Sequence, residues 1–74
     1  MKYDIYVRYR GKTEYSRTNS GSDDLRKAVG NANSIMTTVS NKDKLFRFSG
    51  VKIIDSEELG EQARLMFSLE RPDE

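Results

Sequence analysis

The chain has 74 residues, a net charge of +1, no cysteine and no histidine. This length allows one domain, close to the lower size at which a hydrophobic core alone holds a fold together. The composition excludes disulfides, thiolate sites and histidine-dependent zinc or nucleophile chemistry.

The first elements in the chain are two predicted strands. Residues 3–9 alternate between apolar and polar side chains, which is the pattern of a half-buried strand. Gly11 supplies a turn, and residues 13–18 are predicted to return as the second strand of a hairpin. This second strand is polar on both faces, so we expect it at the edge of the sheet.

A helix is predicted over residues 23–40. Ser22 is its predicted N-cap, because Asp23 and Asp24 follow and negative charge stabilises a helix N-terminus. Apolar residues recur every three or four positions, so one stripe of the helix faces the core. Asn41 is expected to end the helix in the left-handed conformation.

The remaining segments favour two more strands. Residues 45–49 alternate, and residues 51–54 resume in the opposite phase after Gly50, which predicts a β-bulge at Gly50. Residues 63–70 alternate as a strand would. A helix over residues 57–70 fits the apolar positions nearly as well, so that alternative stays open.

The predicted fold class is therefore α+β, in the order β-β-α-β-β, with one helix packed on one face of an antiparallel sheet. The alternative order is β-β-α-β-α. A single domain is expected over residues 1–71, followed by a frayed tail at residues 72–74. The predicted core consists of Ile5, Val7, Leu25, Val29, Ile35, Met36, Phe46, Phe48, Ile53, Leu65 and Phe67. The second face of the sheet is expected to be free for binding.

The N-terminal hairpin is the first candidate binding site. Residues 1–22 hold five basic and two acidic residues, whereas residues 48–74 hold three basic and seven acidic residues. Tyr6 lies on the polar face of the first strand, among basic residues of the hairpin. Such a surface can stack nucleic-acid bases and contact phosphates, although an arginine beside a tyrosine often only covers the ring. The basic residues of this candidate site are Arg8, Arg10, Lys12 and Arg17.

An acidic cluster is the second candidate site. It consists of Asp55, Glu57, Glu58 and Glu61. The spacing matches neither a metal-binding loop nor a paired acid–base site, and no histidine or cysteine accompanies it. We predict a solvated turn, or an acidic epitope for a basic groove on another protein, and no metal, cofactor or catalytic residue.

Nothing in the chain predicts contact with a membrane. The longest apolar run is Leu65-Met66-Phe67, far short of the ~20 residues of a membrane span. The N-terminal residues alternate and lack the apolar segment of a signal peptide. The expected localisation is cytoplasmic.

These features predict a non-catalytic protein-interaction module, monomeric or homodimeric, that binds a host protein or ribonucleoprotein. In size and composition the chain resembles small accessory proteins of phages and mobile elements, including anti-CRISPR and host-takeover proteins, and this resemblance implies an inhibitor or adaptor. The alternative is a nucleic-acid-binding domain that uses the basic, tyrosine-containing hairpin, and a third possibility is a subunit that oligomerises by edge pairing. The predicted partner-binding residues are Tyr6, Arg8, Arg10, Lys12, Arg17, Glu57, Glu58 and Glu61.

Overall fold

The computed structural model describes residues 2–56 and 64–72. Within them the chain forms one antiparallel sheet and one helix, in the order β-β-α-β-β, which confirms the predicted α+β class. The elements are β1 (Tyr3–Tyr9), β2 (Ser16–Arg17), α1 (Leu25–Met36), β3 (Phe48–Asp55) and β4 (Arg64–Glu70). The order of the strands in the sheet is β2-β1-β3-β4. In the described part of the chain no helix is both long and apolar enough to cross a membrane.

The core lies between α1 and one face of the sheet. Ile5 of β1 lies opposite Ile53 of β3, and both side chains are fully buried. The helix contributes Ala28 and Ala32, also fully buried, and these short side chains let the helix lie close to the strands. The buried apolar residues are Ile5, Val7, Ala28, Ala32, Met36, Val51 and Ile53. Around them pack the half-buried Tyr3, Leu25, Val29, Ile35, Phe48, Met66 and Phe67.

Two predicted core residues are exposed, so their assignment was wrong. Leu65 is 55% exposed and Phe46 is 42% exposed. The pairing of β3 with β4 shifts between Ile53 and Ile54, so Leu65 lies opposite Ile54, on the face away from the helix. Phe46 precedes β3 and pairs with Val39 in an isolated bridge outside the sheet.

The helix begins at a different cap from the one predicted. Asp24, and not Ser22, is the N-cap, and its carboxylate accepts a 2.9 Å hydrogen bond from the backbone N–H of Arg26. Ser22 is instead held by two backbone hydrogen bonds with Tyr3, which extend the edge of β1. A residue held in that extended bridge lies too early in the chain to cap the first helical turn.

The helix also ends earlier than predicted, at Met36. Val39 already pairs antiparallel within residues 38–47, which backbone hydrogen bonds close into a short hairpin. We call this segment the 38–47 hairpin. Lys44, rather than Asn41, has the left-handed backbone conformation, with φ of 63°.

The strand boundaries follow the prediction in part. The pairing of β1 with β3 shifts between Arg8 and Tyr9, which leaves Ser49 as the extra residue beside Gly50 and confirms a bulge at this point. β2 lies at the sheet edge as predicted, but it spans only Ser16–Arg17. The last described segment, 64–70, is a strand and not a helix, whereas residues 57–63 lie outside the described residues.

Candidate functional site

The sheet face turned away from α1 carries a band of aromatic and charged side chains, which we call the open face. Alternate residues of a strand share one face, so residues 4, 6 and 8 of β1 lie beside residues 50, 52 and 54 of β3. The open face carries the side chains of Asp4, Tyr6, Arg8, Tyr15, Arg17, Lys52, Ile54 and Glu70.

Tyr6 lies at the centre of the open face. It is directly opposite Arg17 of β2 on one side and Lys52 of β3 on the other. Directly opposed residues of antiparallel strands have Cβ atoms roughly 5 Å apart, so the tyrosine lies between two cations. The structure thus brings together Tyr6 and Arg17, as predicted. It adds Lys52, which sequence reasoning missed because alternation within one strand does not reveal its neighbour.

Tyr15 joins this face through its ring and its hydroxyl. The Nζ atom of Lys52 lies 4.4 Å from the centroid of the Tyr15 ring, a cation–π contact. The hydroxyl donates a 2.9 Å hydrogen bond to Oε1 of Glu70. Burial, followed by this bond to Glu70, raises the pKa of the Tyr15 hydroxyl above its ordinary value of 10.0, while Arg8 acts in the opposite direction. The phenol therefore stays protonated at neutral pH and acts as a hydrogen-bond donor.

The two predicted arginines of the open face are held by the fold. Arg8 donates to the backbone carbonyls of Lys12, at 2.9 Å, and Ser49, at 3.3 Å. Arg17 is exposed and pairs at 3.4 Å with the buried carboxylate of Asp4. The guanidinium groups are therefore positioned before any partner arrives, which lowers the entropy lost on binding.

The other two basic residues of the hairpin lie elsewhere. Nη2 of Arg10 forms an ion pair of 2.6 Å with Asp43, in the 38–47 hairpin. Lys12 lines a separate shallow groove together with Tyr9 and Glu14. The predicted five-residue site is therefore divided, because the register shift between Arg8 and Tyr9 falls ahead of Arg10, which pairs with Asp43 instead.

The acidic cluster is described only at its first residue. Asp55 is the last residue of β3, is 8% exposed, and lies opposite Tyr3 and Arg64. It is thus part of the sheet and not of a solvated turn. Glu57, Glu58 and Glu61 lie outside the described residues.

Comparison with protein-family models, curated proteins and solved structures finds no significant match to this chain. Over residues 2–56 and 64–72, no group of three acidic side chains converges in a way that could hold a metal ion. The open face is a shallow surface with Tyr6, Tyr15, Lys52 and Ile54 along one groove, a shape suited to contact with another surface.

Proposed function

We propose that the protein is a non-catalytic, cytoplasmic interaction module that docks its open face onto a larger host protein or ribonucleoprotein, as an inhibitor or adaptor. The observation that carries this proposal is the placement of Tyr6 between Arg17 and Lys52, on the sheet face opposite α1. Tyrosine and arginine are among the residues that most often dominate the binding energy of protein interfaces.

The mixture of charges on the open face favours a protein partner. Asp4 and Glu70 lie on the same face as the cations, and each holds an open-face residue, Arg17 or Tyr15. A nucleic-acid backbone presents negative charge throughout and would be repelled by these carboxylates, whereas a protein surface can offer both signs. Ile54 adds an apolar contact beside Tyr6.

The size of the chain supports an inhibitor or adaptor. A domain of 74 residues has little core to spare for a substrate pocket, but one face of a four-stranded sheet is enough for an interface. The resemblance in size and composition to phage and mobile-element accessory proteins, including anti-CRISPR proteins, also favours an inhibitor or adaptor.

Affinity capture with matched charge-reversal variants tests this proposal. The wild-type chain, Lys52→Glu on the open face and Lys27→Glu on the exposed side of α1 are used to capture partners from the native host. We expect a protein partner that survives nuclease treatment, is retained by Lys27→Glu and is lost with Lys52→Glu. Equal capture by both variants would contradict docking through the open face.

Nucleic-acid binding is the second candidate, since Tyr6 between two cations is also an arrangement on which a base stacks. Capture that disappears after nuclease treatment, together with direct binding of a purified oligonucleotide that Tyr6→Ala abolishes, would favour this candidate over the first.

A further inference from the structure

A second potential binding site lies at the carboxyl end of α1, away from the open face. It is a pocket with a volume of about 170 Å³ between the 38–47 hairpin and the residues that follow β4. Leu45, Phe46 and Phe48 line it with apolar side chains, and its basic lining residues are Arg10, Lys44 and Arg71.

The basic residue Arg71 is fixed in place by three contacts. Its guanidinium carbon lies 3.7 Å from the centroid of the Phe46 ring. The same group donates hydrogen bonds to the backbone carbonyls of Met36, at 2.7 Å, and Phe48, at 3.2 Å. Met36 is the last residue of α1, where carbonyls lack helical partners and a cation is favourable. These contacts therefore fix the part of the pocket lining that Arg71 and Phe46 form.

Asp43 orders a second part of the pocket lining, around Leu45 and Arg10. Its carboxylate accepts a 3.1 Å hydrogen bond from the backbone N–H of Leu45 and pairs with Arg10 at 2.6 Å. The two contacts hold the turn of the 38–47 hairpin against the end of β1. Both parts of the lining are thus preorganised, which reduces the entropy that is lost when a ligand binds.

Among residues 2–56 and 64–72, the charge around the pocket is unbalanced. Three cationic residues line it, and Asp43 is the carboxylate that pairs with one of them. The exposed Lys44 side chain makes no hydrogen bond or ion pair within the described part of the chain. Leu45 and Phe46 remain 39% and 42% exposed, so apolar surface lies beside this excess positive charge.

We propose that this pocket binds an acidic linear segment of a partner protein, which inserts one apolar side chain and pairs its flanking carboxylates with Lys44 and Arg71. The volume is below the roughly 300–1,000 Å³ of pockets that enclose whole small molecules, so it suits a single side chain. Because the pocket lining is positively charged, charge complementarity predicts a negatively charged partner segment. This pocket is distinct from the open face, on which the proposed function rests, because it includes neither Tyr6 nor Lys52.

The probe is the acetylated and amidated pentapeptide Asp-Glu-Leu-Glu-Asp, titrated into the ¹⁵N-labelled full chain and followed by NMR. We expect saturable shifts of the Leu45, Phe46 and Arg71 amides, with half-saturation below about 1 mM. Lys44→Glu should weaken binding at least about fivefold, while the matched control Lys27→Glu should stay within about twofold. Replacing the peptide's leucine by alanine, or its acids by amides, should each weaken binding about as much as Lys44→Glu.

Three results would overturn the proposal. The first is the absence of saturable shifts at these amides. The second is an equal loss of affinity in Lys44→Glu and Lys27→Glu, which would reveal unspecific attraction between net charges. The third is a set of shifts confined to Tyr15 and Lys52, which would place the peptide on the open face and leave the proposed function standing without this pocket.

Discussion

The Tyr15 hydroxyl lies so close over Gly50 that a Cβ atom added at residue 50 would come within 2.5 Å of it. That hydroxyl donates to Glu70 of β4, although Tyr15 itself directly precedes β2 at the other edge of the sheet. The tyrosine therefore reaches across the open face, and the missing side chain at Gly50 leaves the space for it.

Gly50→Ala should displace the Tyr15 side chain and lower the free energy of unfolding by about 1 kcal/mol, through the lost hydrogen bond and the shifted ring. Urea unfolding measures this cost. In the Tyr15→Phe background the closest clashing atom is gone, so the same substitution should cost less than half as much. An equal cost in both backgrounds would show that Tyr15 is not what occupies the space.

The pKa of Tyr15 should respond to Glu70. Burial and the Glu70 carboxylate raise this pKa above 10.0, so Glu70→Gln, which removes the negative charge, should lower it. A ¹³C NMR titration of the Tyr15 ring measures both values. Arg26→Gln, on the exposed side of α1, serves as the control and should leave the pKa unchanged.

The raised pKa of Tyr15 also predicts a stability difference at alkaline pH. A folded-state pKa above the unfolded value of 10.0 means that the folded chain holds the proton more tightly. The resulting stabilisation is complete below pH 10 and is lost as the pH rises through the folded-state pKa. The free energy of unfolding of the wild type relative to Tyr15→Phe should therefore be constant at neutral pH and fall above pH 10. A difference that grows with pH would contradict the assigned direction.

Protonation of Asp43 at acidic pH should destabilise the 38–47 hairpin. The Leu45 N–H, followed by the Arg10 side chain, lowers the pKa of Asp43 below its ordinary value of 3.8. Its stabilising contribution is therefore present above pH 3.8 and is lost as the pH falls through the lower folded-state pKa. The Leu45 amide shift should titrate with a midpoint below 3.8 in the wild type and should not titrate there in Asp43→Asn. A wild-type midpoint above 3.8 would be incompatible with these contacts.

The close approach of α1 to the sheet should make it intolerant of larger side chains. Ala32 is fully buried, so Ala32→Leu would force extra volume into a packed core and should lower the free energy of unfolding by about 1–3 kcal/mol. Asn33→Leu, at the adjacent exposed position, should change it by less than about 0.5 kcal/mol. Thermal or urea unfolding of the two variants measures the contrast, and similar values for both would contradict the helix placement.

The proposed protein partner predicts weak binding to nucleic acid. The open face carries Arg8, Arg17 and Lys52, so three phosphate contacts would produce a log–log salt slope of roughly −2 to −3. We expect no single- or double-stranded affinity tighter than ~1 μM at physiological salt, measured by fluorescence anisotropy. Tighter binding that Lys52→Glu abolishes and Lys27→Glu preserves would instead favour the nucleic-acid candidate.

Local sequence patterns predicted most of the secondary structure. Alternation in residues 3–9 and 64–70 and the helical spacing of the segment containing Leu25–Met36 all correspond to the observed elements. These signals are local, since a strand or helix must present one apolar face whatever it packs against. The same patterns located the bulge beside Gly50 and placed Tyr6 on the polar face of β1.

Only the tertiary structure decided which strands are neighbours and which apolar residues are buried. Lys52 stands beside Tyr6 because β3 pairs with β1, and Arg10 leaves the basic group because it meets Asp43 of the 38–47 hairpin. Leu65 is exposed because a register shift turns it to the open face. Apolar periodicity predicts which face of its strand a residue lies on, but it does not predict which residue lies opposite on the neighbouring strand. A single bulge also reverses the face of the residues that follow it.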